Sequence, residues 1–356
     1  MSFLHTLWIT VKLIPLPFVV LWKVLTTTHA SYNKTRSLQR ICADATFRYN
    51  LSTFTIPELR ATLGSSLKVY TKWAKEANVP SVVDELGEDA RLLWIGPKRL
   101  DRVILVAHGG AFALPALPPY FTFWHYVRLE MERQGVECGI AMLSYSLWPE
   151  ASFPQPLNQL RMAVAFLLSA GLQPHRLQLA GDSAGGNLTM QLLSHILHPH
   201  PNVPPLTLVE PISAVHLLSP WVGLVGETAS WDENASIDCT SKEWLVRIGR
   251  EILSKGFGED DTYRAFAEAC KADPTWFHGI EQLVSGSIVI TAGDKECLRD
   301  DVLKFGEILE RHHPKVEVVV QPRGLHDDMF LDAGIGKPEV GVLTPLIIDR
   351  LLSGFK

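Results

Sequence analysis

Leu177-Gln178-Leu179-Ala180-Gly181-Asp182-Ser183-Ala184-Gly185-Gly186 runs from a short apolar segment straight into a serine flanked by glycines. The residues that follow, Asn187-Leu188-Thr189-Met190-Gln191-Leu192-Leu193, carry apolar side chains at helical spacing. Gly-x-Ser-x-Gly between a strand and a helix reads as a nucleophile elbow. The turn leaves no room for side chains beside the nucleophile, which accounts for Gly181 and Gly185. The helix start beneath Ser183 offers unpaired N–H groups and a positive dipole end, where negative charge is stabilised. Alone, the pentapeptide could be a plain Gly/Ser-rich turn. The strand before it and the helix after it favour chemistry.

Outward from the elbow, strand and helix patterns alternate. Residues 103–107, Val-Ile-Leu-Val-Ala, are continuously apolar, as a strand buried on both faces should be. Further strands are expected at 92–97, 139–145, 214–218, 288–292 and 316–320, with helices at 157–168, 299–312 and about 340–352. This order implies an α/β fold with a mostly parallel central sheet and helices on both faces. Residues 223–279 break the pattern: Trp231, Trp244 and Trp276 stand among acidic runs and helical periods, with no strong strand. They are expected to form a helical cap above the strand ends, where ligands bind in such sheets. Residues up to about 86 alternate at helical spacing, and Thr55 followed by Pro57 and Glu58 marks a helix start.

A serine nucleophile needs a base and an orienting acid, which follow it here in the order acid, then histidine. Asp294 and Glu296 come just after the 288–292 strand, and His326 just after the 316–320 strand. Both positions lie at carboxyl ends of strands, where loops can meet the elbow. His312 and His313 precede their strand and point to the other sheet edge. His198 and His200 sit in a proline-rich loop, and metal binding would need further ligands that the sequence does not offer. His108-Gly109-Gly110 follows the 103–107 strand. Glycines there let the main chain approach a substrate, so the N–H groups of Gly109, Gly110, Ala111 and Ala184 are the candidate oxyanion donors. Asp182 reads as a local hydrogen-bonding residue, while Asp300 and Asp301 suit the start of the next helix.

The chain has 356 residues, 47% hydrophobic and 20% charged, enough for a large core and against disorder. A net charge of −5 gives no footprint for nucleic acid. Five scattered cysteines without a C-x-x-C suggest neither a disulfide framework nor a zinc site, but buried thiols in a reducing compartment. Two parts are expected: a hydrophobic segment at 1–25 and one catalytic domain at 26–356 carrying the cap at about 223–279. Residues 3–25 are nearly long enough to span a bilayer but are interrupted by Lys12, Pro15 and Pro17. No basic region precedes them and no A-x-A site follows, so a cleaved signal is not expected. The segment can therefore be a membrane anchor, an interfacial element or a helix packed over the catalytic domain. If it spans, Lys34, Arg36 and Arg40 put the body on the cytoplasmic side of a membrane such as the endoplasmic reticulum. Otherwise the protein is expected in the cytoplasm.

Three stretches together resemble the hormone-sensitive-lipase-like branch of the α/β-hydrolases. They are His108-Gly109-Gly110-Ala111-Phe112, Tyr145-Ser146-Leu147-Trp148-Pro149-Glu150-Ala151-Ser152-Phe153-Pro154 and Gly181-Asp182-Ser183-Ala184-Gly185-Gly186-Asn187. Ser219-Pro220-Trp221-Val222 and Ser230-Trp231-Asp232-Glu233-Asn234-Ala235 look like fungal members related to steryl acetyl hydrolases. The resemblance covers roughly residue 102 to the C-terminus and is weakest in the cap. It implies an α/β-hydrolase fold and a carboxylesterase with Ser183 as nucleophile, His326 as base and a cap that selects the substrate. Two departures stand out. Ala111 occupies the place of a third glycine, and Glu296-Cys297-Leu298-Arg299-Asp300 carries Glu where the family's Asp-x-Leu-x-Asp pattern has its acid. Glu296 is preferred as the acid, and Asp294 is kept as the alternative.

The expected reaction is hydrolysis of a hydrophobic, short-acyl ester of a lipophilic alcohol through an acyl-enzyme, with no metal or organic cofactor. An acyltransferase or natural-product tailoring enzyme with the same residues is the first rival. A non-catalytic binding protein on the same fold is the second.

Overall fold

Eight strands make one sheet in the computed structural model, which describes residues 3–257 and 263–356. The first two residues of the expected 1–25 segment and residues 258–262 of the expected cap lie outside the described residues. The strands are β1 (Val82–Gly87), β2 (Ala90–Trp94), β3 (Val103–Ala107), β4 (Gly139–Ser144), β5 (Leu177–Asp182), β6 (Ala214–Leu218), β7 (Ile288–Gly293) and β8 (Val316–Gln321). They lie in the order β1-β2-β4-β3-β5-β6-β7-β8. Strands from β4 to β8 run parallel, while β2 pairs antiparallel with both β1 and β4.

Before β1 come α1 (Phe3–Leu13), α2 (Leu16–Thr27), α3 (Leu38–Thr53), α4 (Ile56–Leu63) and α5 (Ser66–Glu76). Helices α6 (Pro118–Arg133), α7 (Gln155–Ser169) and α8 (Ala184–Leu197) follow β3, β4 and β5. Between β6 and β7 lie α9 (Ala229–Glu233), α10 (Lys242–Ile252) and α11 (Arg264–Ala267), with no strand among the described residues of 223–279. Helix α12 (Arg299–Glu310) joins β7 to β8, and α13 (Asp328–Gly334) and α14 (Thr344–Ser353) end the chain.

The central strands β3 to β7 are buried at every position. Their continuous apolar runs follow from having a layer on each face. Along β3 the period of two is explicit: Val103, Leu105 and Ala107 join one hydrophobic cluster, Ile104 and Val106 the other. Helix α8 packs in the first cluster through Leu188 and Leu192, and α6 and α14 in the second through Trp124 and Leu351. Thr55 caps α4 with a reciprocal Thr55–Glu58 capping box, as its sequence suggests.

One local expectation fails. Residues 82–87 continue no helix; they pair with β2, Val82 opposite Trp94 and Val83 opposite Leu93. The reversal uses Glu88 and Asp89, both at positive φ (49° and 60°). Two left-handed residues match the twist of a tight hairpin, and cross-strand packing then outweighs the helical spacing.

The N-terminal helices are tied to the far end of the chain by buried charge. Arg40 Nε donates to Asp44 at 2.7 Å, and its other nitrogens reach the Asp328 and Asp332 carboxylates. Arg36 bridges Asp44 and Asp328, each at 2.9 Å. Helix α3 is thereby pinned to α13, which starts two residues after His326. Replacing Arg40 with Met leaves three buried carboxylates sharing the single charge of Arg36. We expect Arg40→Met to lose about 3–5 kcal/mol of stability, as breaking one side of a buried pair does. The shift of the urea midpoint measures it.

Candidate active site

Ser183 sits between β5 and α8 with φ 48° and ψ −118°, a backbone conformation that side-chain-bearing residues seldom adopt. It is held from both sides: its N–H donates to Leu218 O and its carbonyl accepts from Trp221 N–H, both at 2.9 Å. The flanking glycines are required by contact. A Cβ on Gly185 would fall 1.9 Å from the Ala107 carbonyl oxygen, and one on Gly181 would fall 2.3 Å from the Gly185 oxygen. The bend lifts Ser183 to the carboxyl edge of the sheet, on the wall of a pocket.

His326 lines the same pocket from the loop after β8. Its Nδ1 faces Glu296 Oε2 at 3.6 Å, and its Nε2 faces Asp327 Oδ2 at 3.2 Å. Among the described residues no hydrogen bond joins Ser183 to His326 in this resting arrangement. Glu296 is fully buried, and its Oε2 accepts from the Ser219 hydroxyl at 2.7 Å. Burial pushes the Glu296 carboxyl up, and it pushes Asp327 well up. For His326, burial works against the cation, but the Asp327 and then the Glu296 carboxylates outweigh it and raise the imidazole to about 10. Asp294 takes no part in these contacts. Its N–H is paired with Gln321 O, its carbonyl with Arg299, and its Oδ1 has no partner among the described residues. The structure thus brings Ser183, His326 and Glu296 to one corner and leaves Asp294 outside it.

Asp238, in the stretch between α9 and α10, is the residue on which these loops converge. It is 1% exposed, and one oxygen accepts the N–H groups of His326 at 3.0 Å and Cys239 at 2.8 Å. The other accepts the N–H of Cys297 and the hydroxyl of Thr240, both at 2.9 Å. One carboxylate therefore binds the histidine loop, the acid loop and the helical excursion together. Nearby, Asn234 Nδ2 donates to the Glu296 carbonyl at 2.9 Å. No spacing rule in the sequence marks Asp238, Asp327 or Ser219, because their roles exist only once three distant loops meet.

The donors for a developing oxyanion need one correction. The Gly109 N–H is committed to Asp182 Oδ2 at 2.9 Å and is not free to receive negative charge. Gly109 is needed for another reason: a Cβ there would fall 2.2 Å from the same Oδ2 and 3.1 Å from Ser183 Cβ. Gly110 and Ala111 line the pocket, and their N–H groups make no hydrogen bond among the described residues. Ala111 reaches this place at φ 53°, a left-handed conformation in which glycine is less strained. Ala184 opens α8, where the first N–H groups have no preceding turn to pair with. His108 is buried and neutral: burial lowers it to about 4, and its ring stacks on Tyr145 at 4.5 Å. Away from the polar corner, Phe47, Leu51, Leu114, Leu117, Trp244 and Phe330 make the pocket apolar.

Residues 104–330 match a family described by the alpha/beta hydrolase fold. An acetyl-hydrolase of Streptomyces hygroscopicus is 32% identical over 217 residues, which is 58% of this chain and 62% of that protein. Human hormone-sensitive lipase is 32% identical over 118 residues, 30% of this chain and 10% of that protein. The chain thus matches less than two thirds of either relative's length. A solved esterase from the bacterial hormone-sensitive lipase family superposes with a TM-score of 0.69 at 22% identity, covering 90% of this chain and all of that one.

These geometries separate the two acids and test the loop anchor. Glu296→Gln is expected to lower kcat/KM by about two to four orders of magnitude, as loss of an orienting carboxylate does, whereas Asp294→Asn should change it less than about threefold. Asp238→Asn offers its amide nitrogen to a loop N–H that needs an acceptor. It should lower kcat about 10- to 100-fold with KM nearly unchanged, because what is lost is alignment.

Proposed function

The chain belongs to the alpha/beta hydrolase fold family, and on that footing we propose that it is a serine carboxylesterase of the hormone-sensitive-lipase-like kind. Its substrate is a hydrophobic ester with a short acyl group on a lipophilic alcohol. Ser183 Oγ attacks the ester carbonyl while His326 takes its proton and delivers it to the leaving alcohol. Water then releases the acyl group by the same steps in reverse roles. Glu296 steadies the imidazolium, and the N–H groups of Gly110, Ala111 and Ala184 receive the oxyanion. The observation that carries this reading is the shared pocket wall of Ser183 and His326, with Glu296 buried behind the ring.

The apolar lining supports a lipophilic substrate, since burying such surface is what favours binding in a dry pocket. The short acyl group is suggested by the acetyl-hydrolase relative. Residues 3–25 associate the protein with a membrane, as the exposed apolar stretch at 7–27 supports.

Asp327 gives the reaction its pH dependence. A histidine must be neutral to accept the serine proton, and a carboxylate beside Nε2 stabilises the charged ring. Activity therefore rises with pH as the imidazolium is titrated. Removing that negative charge lowers the histidine pKa, so Asp327→Asn should move the acid limb of kcat/KM against pH downward by about one unit or more. An unmoved or upward-moved limb contradicts this. With p-nitrophenyl esters of increasing acyl length, activity should be highest on acetate and butyrate. Ser183→Ala should lose several orders of magnitude, and a fluorophosphonate should label wild type but not the variant.

A further inference from the structure

Between residues 7 and 27 the only charged side chains are Lys12 and Lys23, and both turn toward the body of the protein. Lys12 Nζ donates to both Glu58 oxygens at 2.7 and 2.8 Å and to Thr53 O at 3.3 Å. Trp8 Nε1 donates to the same Glu58 carboxylate at 2.9 Å, and the Tyr49 hydroxyl donates to the Lys12 carbonyl at 2.6 Å. Lys23 Nζ donates to Ser236 O at 3.1 Å. The opposite face is bare hydrocarbon and indole: Ile14 is 61% exposed, Phe18 71%, Trp22 67% and Leu25 69%. Nine of the thirteen large apolar side chains exposed among the described residues belong to this one stretch.

Such a face is too large and continuous to be left in water. A helix crossing a bilayer would satisfy it, but would carry Lys12 and Lys23 into hydrocarbon and strip Glu58 of its counter-charge. The helix is also interrupted at Ile14 and Pro15, between α1 and α2. Lying along a leaflet keeps every one of these hydrogen bonds and submerges mainly apolar side chains, the exposed Thr26 hydroxyl being bonded to Trp22 O, with Trp8 and Trp22 at the depth that indoles favour.

A second cavity decides between lipid and a protein partner. It lies under α1, with Ile9 and Leu13 on one side and Phe54, Leu59 and Leu63 on the other; Asn50, Thr62 and the Lys12-paired Glu58 are the polar residues on its wall. Phe47, Leu51, Leu114 and Leu117 line both this cavity and the Ser183 pocket, forming their common boundary. Apolar space thus leads from the underside of the membrane-facing helix toward the nucleophile. A docked protein would make no use of that space, whereas an ester dissolved among acyl chains would.

We propose that α1 and α2 lie within one leaflet of a bilayer, with Lys12 and Lys23 turned away from it, and that the ester passes sideways from the leaflet to Ser183 between α1, α3 and α4. This deepens the esterase reading and rests on it for the passage, but not for the seat.

The test uses the full chain, phosphatidylcholine vesicles carrying hexadecyl acetate, and p-nitrophenyl acetate in water. Wild type should float with the vesicles. Phe18→Glu with Trp22→Glu should abolish flotation and reduce hexadecyl acetate hydrolysis at least about tenfold, with p-nitrophenyl acetate hydrolysis unchanged. Leu63→Trp should float as wild type does while its ratio of vesicle to soluble hydrolysis falls. Lys12→Leu should unfold at a lower temperature in vesicles, because Glu58 loses its counter-charge. Failure of wild type to float, or flotation that survives the double charge substitution, would overturn the seat. Self-association that the charged variant abolishes, without flotation of wild type, would assign the face to a second copy instead. An unchanged Lys12→Leu midpoint would overturn it in favour of a span, and an unchanged Leu63→Trp ratio would overturn the passage. If wild type floats yet hydrolyses neither ester, the esterase reading fails and the passage with it, while the seat stands.

Discussion

The structure depends on a turn that no unassisted chain would keep. Ser183 sits at positive φ, at a cost of about 1–3 kcal/mol for a residue with a side chain. Hydrogen bonds to Leu218 and from Trp221, and contacts that admit no Cβ at Gly181 or Gly185, over-determine it. The central strands have to be parallel and in register for these partners to be where they are: Gly181 lies opposite Ala107 on one side and Leu217 on the other. The strain at the serine is therefore supported by the whole middle of the sheet. What it yields is a hydroxyl raised above the strand ends, next to helix N–H groups that have no acceptor among the described residues.

A second constraint is electrostatic. Asp182, Glu296, Asp327 and Asp238 are all buried near one imidazole. Carboxyl groups taken from water resist ionisation, and each needs donors. Asp238 meets this with three main-chain N–H groups and a hydroxyl, Asp182 with the Gly109 N–H, and Glu296 with Ser219. Among the described residues Asp327 has only His326 for a charged partner, and its Oδ1 is unpaired. The least satisfied of these four acids thus sits beside the His326 ring.

The N-terminal helices join these two parts. Arg36 and Arg40 tie α3 to the helix that follows the histidine loop, while Lys12 and Glu58 tie α1 to α4. Charges face inward and apolar groups outward, the reverse of a surface helix in water. Helix α3, against which α2 packs, supplies Phe47 and Leu51 to the pocket, so the layer under the exposed helices also shapes the space around Ser183.

Most of the central sheet was legible in the sequence, because a strand buried on both faces has to be apolar throughout and local runs reveal it. The elbow was legible for a related reason: glycines forced by close contact leave a spacing that survives in one dimension. Ser183, His326 and Glu296 could be nominated from their positions just past strand ends. The hairpin of β1 and β2 could not, since helical spacing and a half-buried strand overlap and only the pairing partner Trp94 decides between them. Nor could the loss of Gly109 as a free donor, which depends on an Asp182 oxygen 2.9 Å away from it across the sheet. Asp238 carries no local signature either. Its importance comes from N–H groups contributed by positions 297 and 326, and a buried carboxylate binds whatever donors folding delivers to it. The sequence alone determined the layers and the strand–Gly-x-Ser-x-Gly–helix turn that carries Ser183; the tertiary structure decided which acids, which N–H groups and which face of the N-terminal helices those layers bring together, because hydrogen bonds and burial are properties of neighbours in space.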